Sequence, residues 1–243
     1  MQIDFAGKNV VVTGGSRGIG EAISRAFVEV NANVICTSTQ EAKKQRSNDG
    51  IIYLPLNLSE EKSLAKFFDS VDAEFNKVDI LINNAGINKI NRIDEISIKD
   101  WKAIIDVNLS GPFKMIHHFS KNMISRKYGK IVNIASIFGS ITKEKRAAYT
   151  SSKAGLIGLT KTCAVDLAPF NILVNSVSPG FINTELTRTI LSPAGIEELV
   201  SLVPMKRLGE VEEIARLVLF LSSDLNTFIT GQNITIDGGF VNI

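Results

Sequence analysis

The sequence is short of the residues that build metal sites and cross-links. Its 243 residues include two cysteines and two histidines. Cys36 lies in an apolar strand-like run and Cys163 in a helical one, which reads as two reduced, buried thiols and not as a disulfide framework. His117 and His118 are neighbours with no Cys or His cluster elsewhere, so no zinc site is expected and no metal is assigned. An excess of one charge is also lacking: 27 Lys and Arg stand against 25 Asp and Glu, without a long basic block. That argues against nucleic acid as a partner. Apolar runs stop at strand length, well short of the roughly 20 residues that cross a bilayer, so no membrane span is expected. The opening M-Q-I-D-F-A-G-K has neither the basic start nor the long apolar centre of a secretory signal, and the expected location is cytoplasmic. Repeats, low-complexity segments and linkers are absent too. At this length a single domain over residues 1–243 is expected.

What is present is alternation. Short β-branched runs, K-N-V-V-V-T and A-N-V-I-C-T, flank a helical segment from Glu21 to Val30. Further strand candidates lie at 51–56, 78–83, 130–135, 172–177 and 233–237. Runs that are apolar on both faces suit the middle of a parallel sheet, so the expected fold class is α/β. The architecture is a Rossmann-type doubly wound sheet of about seven strands with helices on both faces. One stretch breaks the rhythm, about 179–208, where Pro, Gly, Thr and Ser surround a short helical piece. Long connections of this kind are often binding loops, and this one is assigned to substrate.

Four places along the chain carry chemistry. The first strand runs into V-V-T-G-G-S-R-G-I-G, where Gly14, Gly18 and Gly20 permit a tight turn, a close approach and a helix start with free N–H groups. A cofactor pyrophosphate needs all three. The second strand ends in Cys36-Thr37-Ser38-Thr39-Gln40, without an acid before Glu41. A carboxylate there would hold a ribose 2′-OH and repel a 2′-phosphate. With hydroxyls at Thr37 and Ser38 and Arg17 in the glycine turn, NADPH is favoured over NADH, although Glu41 leaves the other choice open. Asn83-Asn84-Ala85-Gly86 ends the next strand but one, at the edge where open α/β sheets bind ligands.

The fourth is A-A-Y-T-S-S-K-A-G. If residues 149–168 form a helix, Tyr149 and Lys153 share one face a turn apart. A cation within about 4–6 Å favours phenolate and lowers the phenol's pKa, which suits general acid and base catalysis. Ser136 ends the strand V-N-I-A-S at the same edge, where its hydroxyl could hold a substrate oxygen near Tyr149. Asn108, inside a long helical segment, is either an ordinary surface residue or part of a proton path to Lys153.

T-G-G-S-R-G-I-G, N-N-A-G, N-L-S-G, I-A-S, Y-T-S-S-K, V-N-S-V-S-P-G and I-D-G-G follow one another in order. From about Phe5 to the last residue the chain resembles the short-chain dehydrogenase/reductase family, most closely its 3-oxoacyl-(acyl-carrier-protein) reductases. The resemblance implies that Asn108, Ser136, Tyr149 and Lys153 are the catalytic tetrad and that Lys153 also binds the nicotinamide ribose. It implies that Pro179, Gly180 and Thr184 adjoin the nicotinamide and that Asn57 lies beside the adenine. Ser16, Ile19, Leu58, Ala85 and Ile182 complete the expected cofactor contacts with NADP(H). Two departures stand out. Phe170-Asn171-Ile172 replaces a basic residue and Gly thought to help dock the acidic carrier, and Lys143-Glu144-Lys145-Arg146 replaces a Gly-rich stretch. Lys127 and Lys130 are then the basic contacts left for a carrier.

The expected function is therefore NADPH-dependent reduction of a 3-oxoacyl thioester to the 3-hydroxyacyl form, a step of fatty acid biosynthesis with acyl carrier protein as candidate partner. A reductase or dehydrogenase of another oxo or hydroxy compound, such as a sugar or secondary metabolite, is the alternative. A nucleotide-binding regulator without turnover is the alternative of another class. The last strand is apolar, and the helix E-V-E-E-I-A-R-L-V-L-F-L is apolar around more than one stripe. Together with the resemblance, which implies contacts through these elements and the helices of Asn108 and Tyr149, they point to a homotetramer.

Overall fold

The computed structural model describes residues 3–39, 45–190 and 192–243. Its strands are β1 (Asn9–Val12), β2 (Asn33–Ser38), β3 (Gln45–Arg46), β4 (Ile52–Pro55), β5 (Ile80–Asn83), β6 (Gly129–Ile134), β7 (Ile172–Pro179) and β8 (Asn233–Ile236). Between them run α1 (Gly18–Glu29), α2 (Glu61–Glu74), α3 (Ile98–Ile105), α4 (Gly111–Arg126), α5 (Ala147–Leu167), α6 (Glu185–Ile190), α7 (Pro193–Leu202) and α8 (Val211–Ser222). The strands form one sheet in the order β3-β4-β2-β1-β5-β6-β7-β8. Seven of them are parallel, and β3 pairs antiparallel with β4. The expected doubly wound sheet is present. The two-residue β3 is an addition that no apolar run announces.

Alternation of side chains along each strand produces two cores. Val11, Ile35, Leu81, Ile131 and Val174 face one side, where Phe67 of α2, Phe119 of α4 and Leu167 of α5 cover them. Val10, Val12, Ile80, Ile82 and Val132 face the other, under Phe27 of α1 and Val218 of α8. Because helices cover both faces, the inner strands stay apolar throughout, which is why they read as continuous runs. Strand order reverses between β1 and β5. The crevice outside the carboxyl ends of these two strands is where such a sheet takes a ligand.

Two boundaries differ usefully from expectation. The first helix starts at Gly18, earlier than Glu21, because the glycine turn passes straight into it. The 179–208 connection contains α6 as well as the anticipated α7, whose N-cap Ser192 accepts from the N–H of Gly195 at 3.2 Å. Among the described residues no helix is long and apolar enough to cross a membrane.

Candidate active site

At the carboxyl edge two turns are stitched together. Gly14 has φ +65°, and a Cβ on it would lie 2.9 Å from the Cα of Ala85, so bare backbone of one turn rests on the other. Thr13 Oγ1 accepts from the N–H groups of Asn84 and Ala85 at 3.0 and 3.1 Å. Asn84 Nδ2 donates to the carbonyls of Thr13 and Gly14, both at 3.0 Å. A Cβ on Gly20 would come within 2.2 Å of the Gly14 carbonyl oxygen, so the first turn of α1 folds against the loop that precedes it. Arg17, at the N-cap of α1, supplies no side-chain cap. The first N–H groups of α1 therefore point at the crevice without a side-chain acceptor, beside the exposed Ser16 and Arg17. This cradle fits a nucleotide pyrophosphate.

The second strand needs a correction. Thr37 is 3% exposed, and its Oγ1 accepts from the N–H of Gly14 at 2.9 Å. Its hydroxyl braces the glycine turn and does not face a 2′-phosphate. Successive strand residues point to opposite faces, so Ser38, next along and partly exposed, is the member of the pair at the open side. Glu41 lies outside the described residues. Asn57 Nδ2 donates to Glu60 at 2.7 Å and Oδ1 accepts from the Ser59 N–H at 3.1 Å, so the side chain braces the start of α2. Leu58 is buried against Gly111. Asn83 is buried as well, donating to Asn133, which donates to Thr160, both at 2.9 Å. Its amide joins the sheet to α5 and does not enter the crevice.

On the other side of the crevice the chain leaves β7 at Pro179. Gly180 presses on Asp237, whose Cβ lies 2.6 Å from the point where Gly180 would carry one. Ile182 is buried and bridges to Gly209. Thr184 Cγ2 comes to 3.8 Å of the point where Gly18 would carry a Cβ. The connection after β7 thus closes over the glycine turn.

The four residues expected to carry the chemistry converge between these walls. Residues Asp106–Ser110 form a π-helical segment between α3 and α4, and this local widening accompanies the inward turn of Asn108, which has no exposed surface. Its amide accepts from the N–H of Ile87 and donates to the Ile87 carbonyl, both at 2.9 Å, and donates to Ser152 at 3.0 Å. Ser152 in turn donates to the Tyr149 carbonyl at 2.8 Å. Asn108 is thus no surface residue; it clamps the loop after β5 to α5. Lys153 is buried, and its Nζ donates to the Ile134 carbonyl at 2.8 Å. Asn108 Oδ1 and Lys153 Nζ lie equally close, 3.5 Å, to the place where Gly86 would carry a Cβ.

Ser136 follows β6 by two residues and caps a 3₁₀ turn, Ile137–Gly139, accepting from the Phe138 N–H at 3.2 Å. Its hydroxyl and the Arg146 cation both favour ionisation of Tyr149, but burial outweighs them and holds the phenol above its usual pKa. The expected lowering by Lys153 does not prevail: Nζ stands 5.8 Å from the centre of the Tyr149 ring, yet burial sets the direction of the shift, which is upward. Burial instead pulls Lys153 itself down to about 8.

A family model described as Enoyl-(Acyl carrier protein) reductase matches residues 14–241. The 3-oxoacyl-(acyl-carrier-protein) reductase FabG of Aquifex aeolicus is 38% identical, over 98% of this chain and 99% of its own. The chain belongs to the short-chain dehydrogenase/reductase family. Acetoacetyl-CoA reductase of Shinella zoogloeoides is 39% identical over 94% of this chain and 96% of its own. Gluconate 5-dehydrogenase from Burkholderia cenocepacia J2315, solved in complex with NADP and tartrate, superposes with a TM-score of 0.89 at 28% identity, covering 99% of this chain and 97% of that one.

Within this short-chain dehydrogenase/reductase the departure at Phe170-Asn171-Ile172 acquires a physical content. Asn171 has φ +56°, a left-handed conformation that Asn tolerates, and its amide donates to the Lys127 carbonyl at 3.2 Å. The backbone that glycine would allow is kept. Lys130 is buried, its Nζ bound to the Asn226 carbonyl, so it is withdrawn from any carrier surface, whereas Lys127 is exposed. Thr13, Asn84 and Ser152 are the structural partners that the motifs do not single out. Asn84 and Ser152 stand inside N-N-A-G and Y-T-S-S-K, each beside a residue with a more obvious role.

Proposed function

We propose that this oxidoreductase reduces a ketone with NADPH, its carbonyl oxygen held by Ser136 and protonated by Tyr149. The observation that carries the reading is the meeting of Ser136, Tyr149 and Lys153 at the sheet edge where the glycine turn opens. When bound, the nicotinamide supplies the hydride. The glycine turn and the start of α1 would hold the pyrophosphate; Arg17 and Ser38 would meet the 2′-phosphate. A phenol kept protonated by burial is the proton donor that reduction needs. Lys153 holds positive charge where an alkoxide develops and a ribose hydroxyl would lie. Asn108 fixes the loop and the helix that carry these groups.

For the substrate, the FabG and acetoacetyl-CoA reductase relatives support a 3-oxoacyl thioester, and with it a place in fatty acid biosynthesis. A free oxo or hydroxy acid is the second reading, favoured by the withdrawal of Lys130 and the charged run that ends at Arg146. The test is NADPH oxidation by the purified chain with acetoacetyl thioesters, oxo acids and neutral ketones side by side. No turnover with any ketone, while NADPH still binds, would leave the regulator reading standing.

For assembly, the half-exposed edge strand β8 and the exposed Phe113 of α4 and Val165 of α5 support a homotetramer. Light scattering is expected to return four chains per particle, and a monomer mass would contradict it.

A further inference from the structure

Arg146 precedes Tyr149 by three residues, at the N-cap of α5, and so projects from the same face. Its Nε and Nη1 are buried, and neither has a hydrogen-bond partner. The guanidinium carbon lies 5.8 Å from the centre of the Phe138 ring. Phe138 meets Tyr149 edge-on, with ring centres 6.5 Å apart, and meets Phe181 the same way at 6.4 Å. Cation, phenol and the Phe181 ring therefore gather around Phe138, two residues along from Ser136.

Buried N–H donors of a charged group are rarely left without acceptors, because water no longer satisfies them. Among the described residues no acid comes to Arg146: burial pushes its pKa down, and the phenol of Tyr149 is what opposes that push. A ligand that brings an acceptor would complete these donors. Aromatic rings beside the guanidinium lower the local dielectric and strengthen whatever charge interaction forms there.

We infer that Arg146 is a specificity-determining residue that holds a carboxylate of the ketone substrate while Ser136 and Tyr149 hold its carbonyl oxygen. This rests on the carbonyl-reductase reading and selects the free acid from its two substrate classes. A carboxylate brings both acceptors and compensating charge. A thioester carbonyl brings an acceptor alone and leaves the partly buried guanidinium without a counter-charge.

The experiment is calorimetric titration of the enzyme–NADP⁺ complex with two hydroxy acids and their uncharged counterparts: 3-hydroxybutyrate against its methyl ester, and gluconate against gluconamide. Wild type is expected to bind at least one acid about tenfold or more above its neutral counterpart. Arg146→Gln should erase that ratio while keeping its NADP⁺ affinity, and Arg146→Lys should restore part of it. Equal binding of acid and neutral counterpart by wild type, or a ratio unchanged in Arg146→Gln, overturns the inference. Faster NADPH oxidation with the acetoacetyl thioester than with acetoacetate would also overturn it, and would leave the carbonyl-reductase reading intact. Absence of all ketone turnover would instead strike at that reading, with the titration still reporting on Arg146.

Discussion

Lys130 and Lys153 stand at opposite ends of β6, 6% and 3% exposed, and burial depresses the pKa of both. At the amino end Lys130 has the Asn226 carbonyl, and Asp224 opposes the depression. Nearby, Asp79 is held by Arg126 at 2.8 Å and by the N–H of Asn9 at 3.0 Å. At the carboxyl end Lys153 has the Ile134 carbonyl, and no carboxylate offsets its burial. Arg146 nearby lacks acceptors on two nitrogens, and the start of α1 lacks a side-chain cap. One edge of the sheet completes its own charges, and the other leaves donors for something else to complete. Space alone does not mark the site: a depression of about 690 Å³ lies at the amino edge, lined by Asn9, Asn33, Ile52 and Lys77, far from this chemistry.

The contrast is tested most severely at Tyr149. Tyr149→Phe removes the transferable proton and keeps the ring between Phe138 and Lys153. Turnover is expected to fall by about 10²–10⁴-fold, the range for a general acid, with NADPH affinity nearly unchanged. Comparable turnover in the variant would remove Tyr149 from the mechanism.

Next come the two lysines, changed alike. Lys153→Met is expected to lower kcat/KM by about 10²-fold, as loss of one preorganised donor does, and to weaken NADPH binding. Lys130→Met should leave kcat/KM within about twofold and cost about 1–3 kcal/mol of stability, because the buried Asn226 carbonyl loses its donor. Urea unfolding and steady-state kinetics on both variants check this, and equal kinetic losses would erase the distinction between the edges.

The sheet, its parallel strands and the site's location are legible in the sequence because burial on both faces leaves β-branched runs, and because tight turns demand glycine at fixed places. Side-chain direction is not. Thr37 and Ser38 look equivalent as letters, yet the pleat sends Thr37 inward to Gly14. Asn83 and Asn84 are neighbours of one type, and the same rule gives the first to Asn133 and the second to the glycine turn. The sign of the Tyr149 shift is hidden for another reason: spacing reveals a neighbouring charge, whereas burial depends on Phe138 and the rest of the fold. Arg146 reads as the end of a charged run that replaces a Gly-rich stretch, and only the burial of Nε and Nη1 in the folded chain sets it apart from its neighbours.

A smaller effect is expected at the end of β2. Ser38→Asp places negative charge where Ser38 and Arg17 would meet the 2′-phosphate, and should shift preference toward NADH by about tenfold, or ~1.4 kcal/mol. Thr37→Asp is the wrong probe, since it would disturb the turn itself. Competitive titration of the two nucleotides measures the shift. A wild type that already prefers NADH would show that the absence of an acid at Thr37 and Ser38 does not decide the cofactor.

The smallest effect is a pH dependence of stability carried by Lys153. Its folded pKa of about 8 lies below that of an unfolded lysine, about 10.4, so between these values the unfolded chain binds more protons. Stability from this group therefore rises with pH, the burial penalty being full below about 8 and fading above it. Buried Cys36, held up at about 12, acts in the opposite sense above the ordinary thiol range, so the wild-type curve alone mixes the two. Subtracting the curve of Lys153→Met isolates the lysine. The difference between variant and wild type is expected to move by about 1 kcal/mol in favour of wild type from pH 7 to pH 9, in urea unfolding of the nucleotide-free protein, on top of a constant cost for the Ile134 carbonyl that loses its donor. In Lys130→Met, where Asp224 opposes the depression, the corresponding gap should change less. A Lys153→Met gap that stays constant with pH would mean that the ammonium is balanced within the chain after all, and that the two edges of the sheet are alike.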